Sequence, residues 1–241
     1  MIRAILFDLD ETLLDLNLDA YVWAFSSQRV RLVSRIANLS PIAVAIPYWH
    51  ALTQMLGRRE DNLTNAAFLH QRFKAATGVP LDDPIIADCL SYYDDQVFNP
   101  TMAASRAIGA HPRRGAHACL DMCQRLGLRV VLATNPTFPQ TCTYERMRWA
   151  GIEDYPFSHV TVCENSTRAK PWARYYVEAC AAVGCRPEEC LMVGNDPRND
   201  FASDGLPLRT CYVGHGHPAQ ALWSGDMVGL TAVLPFLVER G

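Results

Sequence analysis

Residues 2–14 read I-R-A-I-L-F-D-L-D-E-T-L-L, and this stretch predicts the architecture of the chain. Its apolar run, residues 5–7, is typical of a buried β-strand, and two aspartates, Asp8 and Asp10, follow it. Strand alternation directs both carboxylates to one side, at the end of the strand where open α/β sheets bind ligands. Like charges repel unless a cation lies between them, and Mg²⁺ prefers oxygen ligands. The stretch therefore predicts a strand that ends in a magnesium site; the simpler alternative is a polar turn.

The composition indicates one large or two modest globular domains. The chain has 241 residues, of which 49% are hydrophobic, and its net charge is −3. This balance gives no electrostatic basis for binding nucleic acid or a membrane surface, and the most apolar stretch, residues 41–49, is too short to span a bilayer. We expect no secretory signal, because the first residues lead directly into a strand. Nine cysteines without C-x-x-C spacing favour reduced thiols in a cytoplasmic protein over a zinc framework.

Hydrophobic spacing divides the chain into a helical part and an α/β part. After Leu14 the pattern becomes helical, with helices predicted at residues 16–39, 42–56, 62–78 and 83–98. From Pro112 onward strands and helices alternate, with strands predicted at residues 128–133, 158–163, 190–193 and 209–213. Such alternation implies a parallel, doubly wound sheet. We therefore expect an α/β core domain of residues 1–14 and 112–241, with residues 15–111 as an inserted helical domain.

Polar residues follow four of the predicted strands. They are Asp8, Asp10, Thr134, Asn135, Lys170, Asp196 and Asp200. Because the carboxyl ends of parallel strands meet at one edge of the sheet, we expect these side chains to converge. Phosphoryl transfer needs such a set: cations neutralise the transferring oxygens, a carboxylate attacks phosphorus, and a second acid protonates the leaving oxygen.

These residues resemble the four motifs of the haloacid dehalogenase (HAD) superfamily. F-D-L-D-E-T at 7–12, A-T-N at 133–135, Lys170 before Pro171 and G-N-D-P-R-N-D at 194–200 match the motifs in order and in strand context. The resemblance covers residues 1–14 and about 112–215, and it implies a Rossmann-like core. The helical insertion is similar to the cap domain that many members carry between the first two motifs.

The resemblance implies a role for each matching residue. Asp8 is the expected nucleophile and a metal ligand, and Asp10 is the expected general acid/base, with its backbone carbonyl as a further ligand. Thr134 and Asn135 are expected to hold the phosphoryl oxygens. Lys170 is expected to pair with Asp8 and the phosphate; without the other motifs it would be interpreted as an ordinary solvated lysine. Because dehalogenases of the superfamily lack a carboxylate at the position of Asp10, phosphate substrates are favoured.

Three residues depart from the superfamily pattern: Asn195, Glu11 and Pro136, the last of which stiffens the loop after Asn135. Asn195 stands directly after the motif glycine, where many members have the metal-binding aspartate, so Asp196 is expected to complete the Mg²⁺ site. Asp200 is expected to support that site or to replace Asp196 as the ligand, and either acid could instead cap a helix after Pro197. Glu11 replaces a common glycine and is expected to affect the turn into the cap.

We therefore expect a Mg²⁺-dependent phosphatase that cleaves a small phosphomonoester through an aspartyl-phosphate on Asp8, as a monomer or homodimer. A phosphomutase of the same superfamily is the alternative within enzymes, and a catalytically weak HAD-fold ligand-binding protein is the alternative outside them. Aromatic residues of the cap predict a pocket that prefers an apolar or aromatic leaving group. His215 and His217 are interpreted as part of a turn rather than a metal pair, while Arg168 and Glu164 face the substrate or order their loop.

Overall fold

The computed structural model describes residues 1–240, and a six-stranded parallel sheet lies at its centre. The strands are β1 (Ala4–Phe7), β2 (Leu14–Asp15), β3 (His111–Pro112), β4 (Arg129–Leu132), β5 (His159–Val160), β6 (Cys190–Gly194), β7 (Arg209–Val213) and β8 (Trp223–Gly225). The central sheet has the order β5–β4–β1–β6–β7–β8, and all of its pairs are parallel. This topology confirms the predicted α/β fold.

Nine α-helices are present within residues 1–240. They are α1 (Leu18–Ala37), α2 (Pro41–Leu56), α3 (Asn65–Thr77), α4 (Pro84–Tyr93), α5 (Asn99–Ala103), α6 (Ala116–Arg125), α7 (Gln140–Trp149), α8 (Ala173–Ala182) and α9 (Met227–Arg240). A π-helical turn, Asp94–Phe98, joins α4 to α5, and a 3₁₀ turn, Pro187–Glu189, precedes β6. Over the same residues, none of the helices combines the length and the apolar character needed to cross a membrane.

The alternating side chains of β1 supply both halves of the core. Ile5 and Phe7 pack in the cluster that includes apolar residues of α6 and α9, whereas Ala4 and Leu6 pack against α8 on the other face. All four are completely buried, as expected for a parallel strand that is covered on both sides. The first strand of the sequence is therefore a central strand of the sheet, and the residues after it lie at the middle of the sheet edge.

The helical segment leaves and rejoins the core at one place. Strands β2 and β3 pair antiparallel, with Asp15 opposite His111, so the two connections of the segment lie side by side. Helices of the segment share a separate apolar cluster that includes Val33, Val44 and Phe73. The predicted limits of the cap fall on this two-stranded ribbon, and the division into two domains stays a prediction.

Three local predictions differ from the structure. The pattern predicts that the fourth helix ends before Pro100, but a further helix, α5, continues to Ala103. Proline is tolerated there because it lies in the first turn of α5, where no backbone N–H is needed. Strand β7 was expected to be the last, but β8 and α9 follow it. The three residues of β8 are too few for alternation to reveal a strand. No helix begins directly after Pro197, since residues 195–204 form turns and bends.

Candidate active site

Lys170 joins two aspartates that are distant in the sequence. Its Nζ lies 2.7 Å from Asp8 Oδ1, at the end of β1, and 2.7 Å from Asp200 Oδ1, after β6. All three side chains are buried, and we call them the triad. Burial raises the pKa of Asp8 to about 7, although Lys170 opposes this shift. Burial by itself would lower the pKa of Lys170, but the carboxylates of Asp200 and Asp8 together raise it well above its ordinary value.

The structure gives the two acids of the fourth motif different surroundings. Asp200 Oδ1 binds Lys170, and its Oδ2 accepts a hydrogen bond from the backbone N–H of Asp196 at 2.8 Å. The carboxylate of Asp196 instead accepts hydrogen bonds from the backbone N–H of Arg198, at 2.9 Å, and from the amide of Asn199, at 2.6 Å. Asp196 therefore orders its own turn, whereas Asp200 holds the lysine. A metal-binding role for Asp196 stays a prediction.

Asn195 is linked to the other carboxylate oxygen of Asp8 through Thr12. The hydroxyl of Thr12 is 3.0 Å from Asn195 Oδ1 and 3.4 Å from Asp8 Oδ2, and it therefore links the two side chains. The amide nitrogen of Asn195 donates to Glu11 Oε2 at 3.3 Å. Glu11 has φ of 59°, in the left-handed region where many members of the superfamily carry glycine. The residue that departs from the motif therefore shares the Thr12 hydroxyl with Asp8.

Two polar residues follow β4. Thr134 is held by hydrogen bonds to its backbone carbonyl, and Asn135 by one to its side-chain amide. The carbonyl of Thr134 accepts hydrogen bonds from Thr161 Oγ1 at 2.8 Å and from the hydroxyl of Tyr175 at 2.9 Å. Asn135 Oδ1 accepts one from the backbone N–H of Lys170 at 3.3 Å. The hydroxyl of Thr134 is buried and has no hydrogen-bond partner within the described chain. Since buried hydroxyl groups are normally paired, this one is available to a ligand.

Arg146 is a site residue that the sequence interpretation missed. It is completely buried on α7, and its Nη1 donates to Asp10 Oδ2. Its guanidinium also lies 4.6 Å from the ring centre of Phe138 and 5.3 Å from that of Tyr21. The other carboxylate oxygen, Asp10 Oδ1, has no partner in the part of the chain that the structure describes. One oxygen of Asp10 is thus held by Arg146, and the other makes no hydrogen bond within the described residues.

The sequence does contain a signal for Arg146. Cys142 and Ala150 stand four residues before and after it and are both buried, so the arginine lies on the inner side of α7. A charged residue at an otherwise apolar helical position is almost never fully buried without a partner. The position therefore predicts a buried partner, although the sequence does not identify it as Asp10.

A cavity of about 250 Å³ lies beside this site, between the core and the first two helices. We call it the cap–core cavity; it is lined by Asp10, Leu18, Val22, Phe25, Ser26, Tyr48, Trp49, Leu52, Leu56, Asn135, Thr137 and Phe138. Asp10 and Asn135 thus take part in both the polar site and the cavity wall.

Other polar residues noted in the sequence lie on loops. Arg168 donates to the backbone carbonyls of Thr167 and Asp61, at 2.6 and 2.5 Å, and so ties its loop to the helical segment. Glu164 accepts a hydrogen bond from the first backbone N–H of α7. His215 and His217 lie in an exposed bend after β7. The contacts of Arg168 and Glu164 therefore serve to order loops.

The oxygens around Asp8 fit a Mg²⁺ ion. Within residues 1–240, no three His, Cys, Asp or Glu side chains are grouped as ligands of one metal ion. The candidate donors are the Asp8 carboxylate and the Asn195 amide oxygen, which share the Thr12 hydroxyl, and the resemblance to the superfamily adds the backbone carbonyl of Asp10. Mg²⁺ accepts such a set, since it commonly uses one or two carboxylates and completes its shell with water and substrate phosphate. The triad pairs two carboxylates with one ammonium, so a further cation would also balance its charge.

Comparisons with known proteins agree with this geometry. The model of a family described as haloacid dehalogenase-like hydrolase matches residues 2–203. The N-acetylmuramic acid 6-phosphate phosphatase of Pseudomonas aeruginosa is 25% identical over 232 residues, which cover 94% of this chain and 90% of that protein.

Two solved structures share the fold. An HAD phosphatase from Thermococcus onnurineus aligns with a TM-score of 0.56 at 18% identity, over 97% of this chain and 98% of that one. CbbY from Rhodobacter sphaeroides, in complex with xylulose-(1,5)bisphosphate, aligns with a TM-score of 0.59 at 18% identity, over 95% and 96%. Since the family model spans most of the sequence and the four motifs meet at one edge of the sheet, this chain belongs to the haloacid dehalogenase-like hydrolases.

Proposed function

We propose that this hydrolase is a Mg²⁺-dependent phosphatase that acts on a small phosphomonoester through an aspartyl-phosphate on Asp8. One observation carries the proposal: the buried carboxylate of Asp8 is held by Lys170 at 2.7 Å, next to a second aspartate, Asp10, that has one unpaired oxygen. A nucleophile and an acid/base two residues apart are the two groups that this chemistry requires. The phosphatase activity of the Pseudomonas aeruginosa relative also supports it.

The first step transfers the phosphoryl group to the enzyme. Asp8 attacks phosphorus, the bond from phosphorus to the ester oxygen breaks, and that oxygen takes a proton from Asp10 and leaves as an alcohol. Lys170 and the free hydroxyl of Thr134 bind the phosphoryl oxygens, and the Asn135 amide orients them. Arg146 keeps Asp10 in place during this step because it binds the carboxylate oxygen that does not carry the proton.

The second step releases phosphate. Asp10, now ionised, accepts a proton from water as the water oxygen attacks phosphorus, and the bond between Asp8 and phosphorus breaks. Inorganic phosphate leaves, and both aspartates return to their starting states. Asp8, the Asp10 carbonyl and either Asn195 or Asp196 would hold Mg²⁺, which would supply positive charge to the phosphoryl oxygens. The contact through Thr12 favours Asn195 over Asp196 as that ligand.

The test is release of inorganic phosphate from a panel of phosphomonoesters, with Mg²⁺ or with EDTA. We expect turnover with Mg²⁺, loss of turnover with EDTA, and loss in Asp8→Asn, which removes the nucleophile. Asp154→Asn, an exposed substitution remote from the triad, is the matched control and should keep full activity. Phosphate release that persists in Asp8→Asn would contradict the proposed nucleophile.

The same assay separates the alternatives. A phosphomutase would move phosphate within a sugar without net release, which phosphorus NMR detects. A ligand-binding protein would be stabilised by a phosphomonoester without turnover, equally in wild type and Asp8→Asn. A cytoplasmic location and a monomeric or homodimeric state stay predictions.

A further inference from the structure

The cap–core cavity begins at Asp10 and Asn135 and extends between apolar side chains. Asp10, the proposed acid/base, forms part of its wall, so a leaving group that receives a proton from Asp10 would lie inside it. Most of the remaining wall is hydrophobic, and Val22, Phe25, Trp49 and Leu52 of the first two helices contribute to it. Among the described residues that line the cavity, Asp10 is the only one with a charge.

Such a wall disfavours a leaving group with many hydroxyl groups. A sugar would bring several donors and acceptors, but away from the catalytic groups the side chains of the lining offer only the hydroxyls of Ser26, Tyr48 and Thr137 and the indole N–H of Trp49. Polar groups that are buried without partners lose their hydrogen bonds to water and gain none in return. An anionic leaving group would be opposed further, because nothing cationic lines the cavity in the described chain.

The volume sets a size for the leaving group. An engineered apolar cavity of about 150 Å³ holds one benzene ring. At about 250 Å³, the cap–core cavity has room for one ring with its linking carbon atoms. A flat or alicyclic group of this size would replace water against Phe25, Trp49 and Leu52 and would gain the free energy of apolar burial.

We propose that the substrate is the phosphate ester of an uncharged apolar alcohol with one aromatic or alicyclic ring. This inference rests on the proposed phosphatase function and specifies its substrate class. In the reaction, the ester bond to phosphorus breaks, the bond from Asp8 to phosphorus forms, and the apolar alcohol leaves with the proton from Asp10. The cavity therefore predicts a leaving group unlike N-acetylmuramic acid, the sugar released by the Pseudomonas aeruginosa phosphatase.

The first experiment compares benzyl phosphate with a hexose 6-phosphate. Both are esters of primary alcohols, so their intrinsic reactivity is similar and a difference reports on the cavity. We expect kcat/KM for benzyl phosphate to be higher by about tenfold or more, the size of effect that a few apolar contacts produce. An equal or higher kcat/KM for the hexose 6-phosphate overturns the inference and leaves the phosphatase function intact.

A pair of variants on α2 locates the preference. Leu52→Gln introduces an amide into the cavity wall and should lower the ratio of the two kcat/KM values by about tenfold. Ile46→Gln makes the same kind of change on the same helix, at a side chain that is 67% exposed and outside the cavity, and should leave the ratio unchanged. An unchanged ratio in Leu52→Gln would count against the cavity as the source of selectivity.

A binding measurement separates this inference from the proposed function. Calorimetric titration of Asp8→Asn with each ester does not depend on turnover. Tighter binding of benzyl phosphate supports the apolar substrate class. It does so even if the wild-type enzyme releases no phosphate from any ester, because that second result would overturn only the proposed phosphatase function. Equal binding of the two esters, or tighter binding of the hexose 6-phosphate, overturns the inference by itself.

Discussion

Arg146 and Asp10 form a buried hydrogen-bonded pair in which the guanidinium binds one carboxyl oxygen and leaves the other without a partner in the described chain. The two residues are 136 positions apart and come from α7 and from the loop after β1. A carboxylate held at one oxygen keeps its other oxygen in a fixed direction, as a proton donor to the leaving group requires. Arg146 is therefore a positioning residue that acts through Asp10.

We expect Arg146→Ala to lower kcat by about 100-fold, because Asp10 loses its fixed orientation, with a much smaller effect on KM. It should also lower the free energy of unfolding by about 3 kcal/mol, since a buried carboxylate is left unpaired. Arg146→Lys keeps the charge and should recover part of kcat. Steady-state kinetics and urea unfolding measure both effects.

Arg148→Ala, at an exposed arginine on the same helix, is the control and should keep wild-type kcat. A folded Arg146→Ala with wild-type kcat would exclude the positioning role.

Gly194 is close to the triad because its backbone packs against Asp200. A Cβ atom at this position would lie 2.2 Å from Asp200 Cγ, and that side chain is held at both oxygens. We expect Gly194→Ala to displace Asp200 from Lys170, to lower kcat/KM by about tenfold or more, and to lower the free energy of unfolding by about 1–3 kcal/mol. Kinetics and thermal unfolding give the two values.

Gly127→Ala is the control for the glycine substitution. Gly127 has φ of 65° and no atom near its added Cβ, so alanine there strains the backbone far from the triad. It should reduce stability and leave kcat/KM unchanged. If both alanine variants keep wild-type kcat/KM, the contact between Gly194 and Asp200 has no role in the activity.

Thr134→Val tests the unpaired hydroxyl after β4. Because that hydroxyl has no hydrogen bond to lose, the substitution should leave the free energy of unfolding unchanged or slightly raised. It should lower kcat by about 100-fold, the usual loss when one donor to a transferring group is removed. Thr161→Val is the complement: its hydroxyl binds the Thr134 carbonyl, so stability should fall by about 1 kcal/mol. Wild-type kcat in Thr134→Val would rule out a phosphate contact.

The identity of the metal ligand is tested by the dependence of rate on Mg²⁺ concentration. We expect Asn195→Ala to raise the half-saturating Mg²⁺ concentration by about tenfold or more, and Asn195→Asp to lower it, because a carboxylate attracts the ion more strongly. Asp196→Asn should leave the value near that of the wild type, since this side chain orders its own turn. The reverse ranking would make Asp196 the ligand.

The sequence predicts the core of this fold well because each buried strand is a short apolar run followed by polar residues. That pattern placed Asp8, Lys170 and Asp200 at one sheet edge, where the structure brings them into contact. It could not predict which of Asn195 and Asp196 is linked to Asp8. In a turn, the direction of each side chain depends on the local backbone angles, and no hydrophobic periodicity encodes those angles. It also missed Arg146, whose partner is identified only by the contact between α7 and the loop after β1.

The ribbon of β2 and β3 has a consequence for how this enzyme can change. Since Asp15 lies opposite His111, the polypeptide between them begins and ends at neighbouring points. Helices can be lengthened, shortened or exchanged in that interval without moving β1, the strand that leads to Asp8. Under the predicted division into two domains, the residues proposed to break the ester bond and the helices that line most of the cap–core cavity are separate parts of the chain, joined by two short strands, so substrate range can diverge while the reacting residues stay the same.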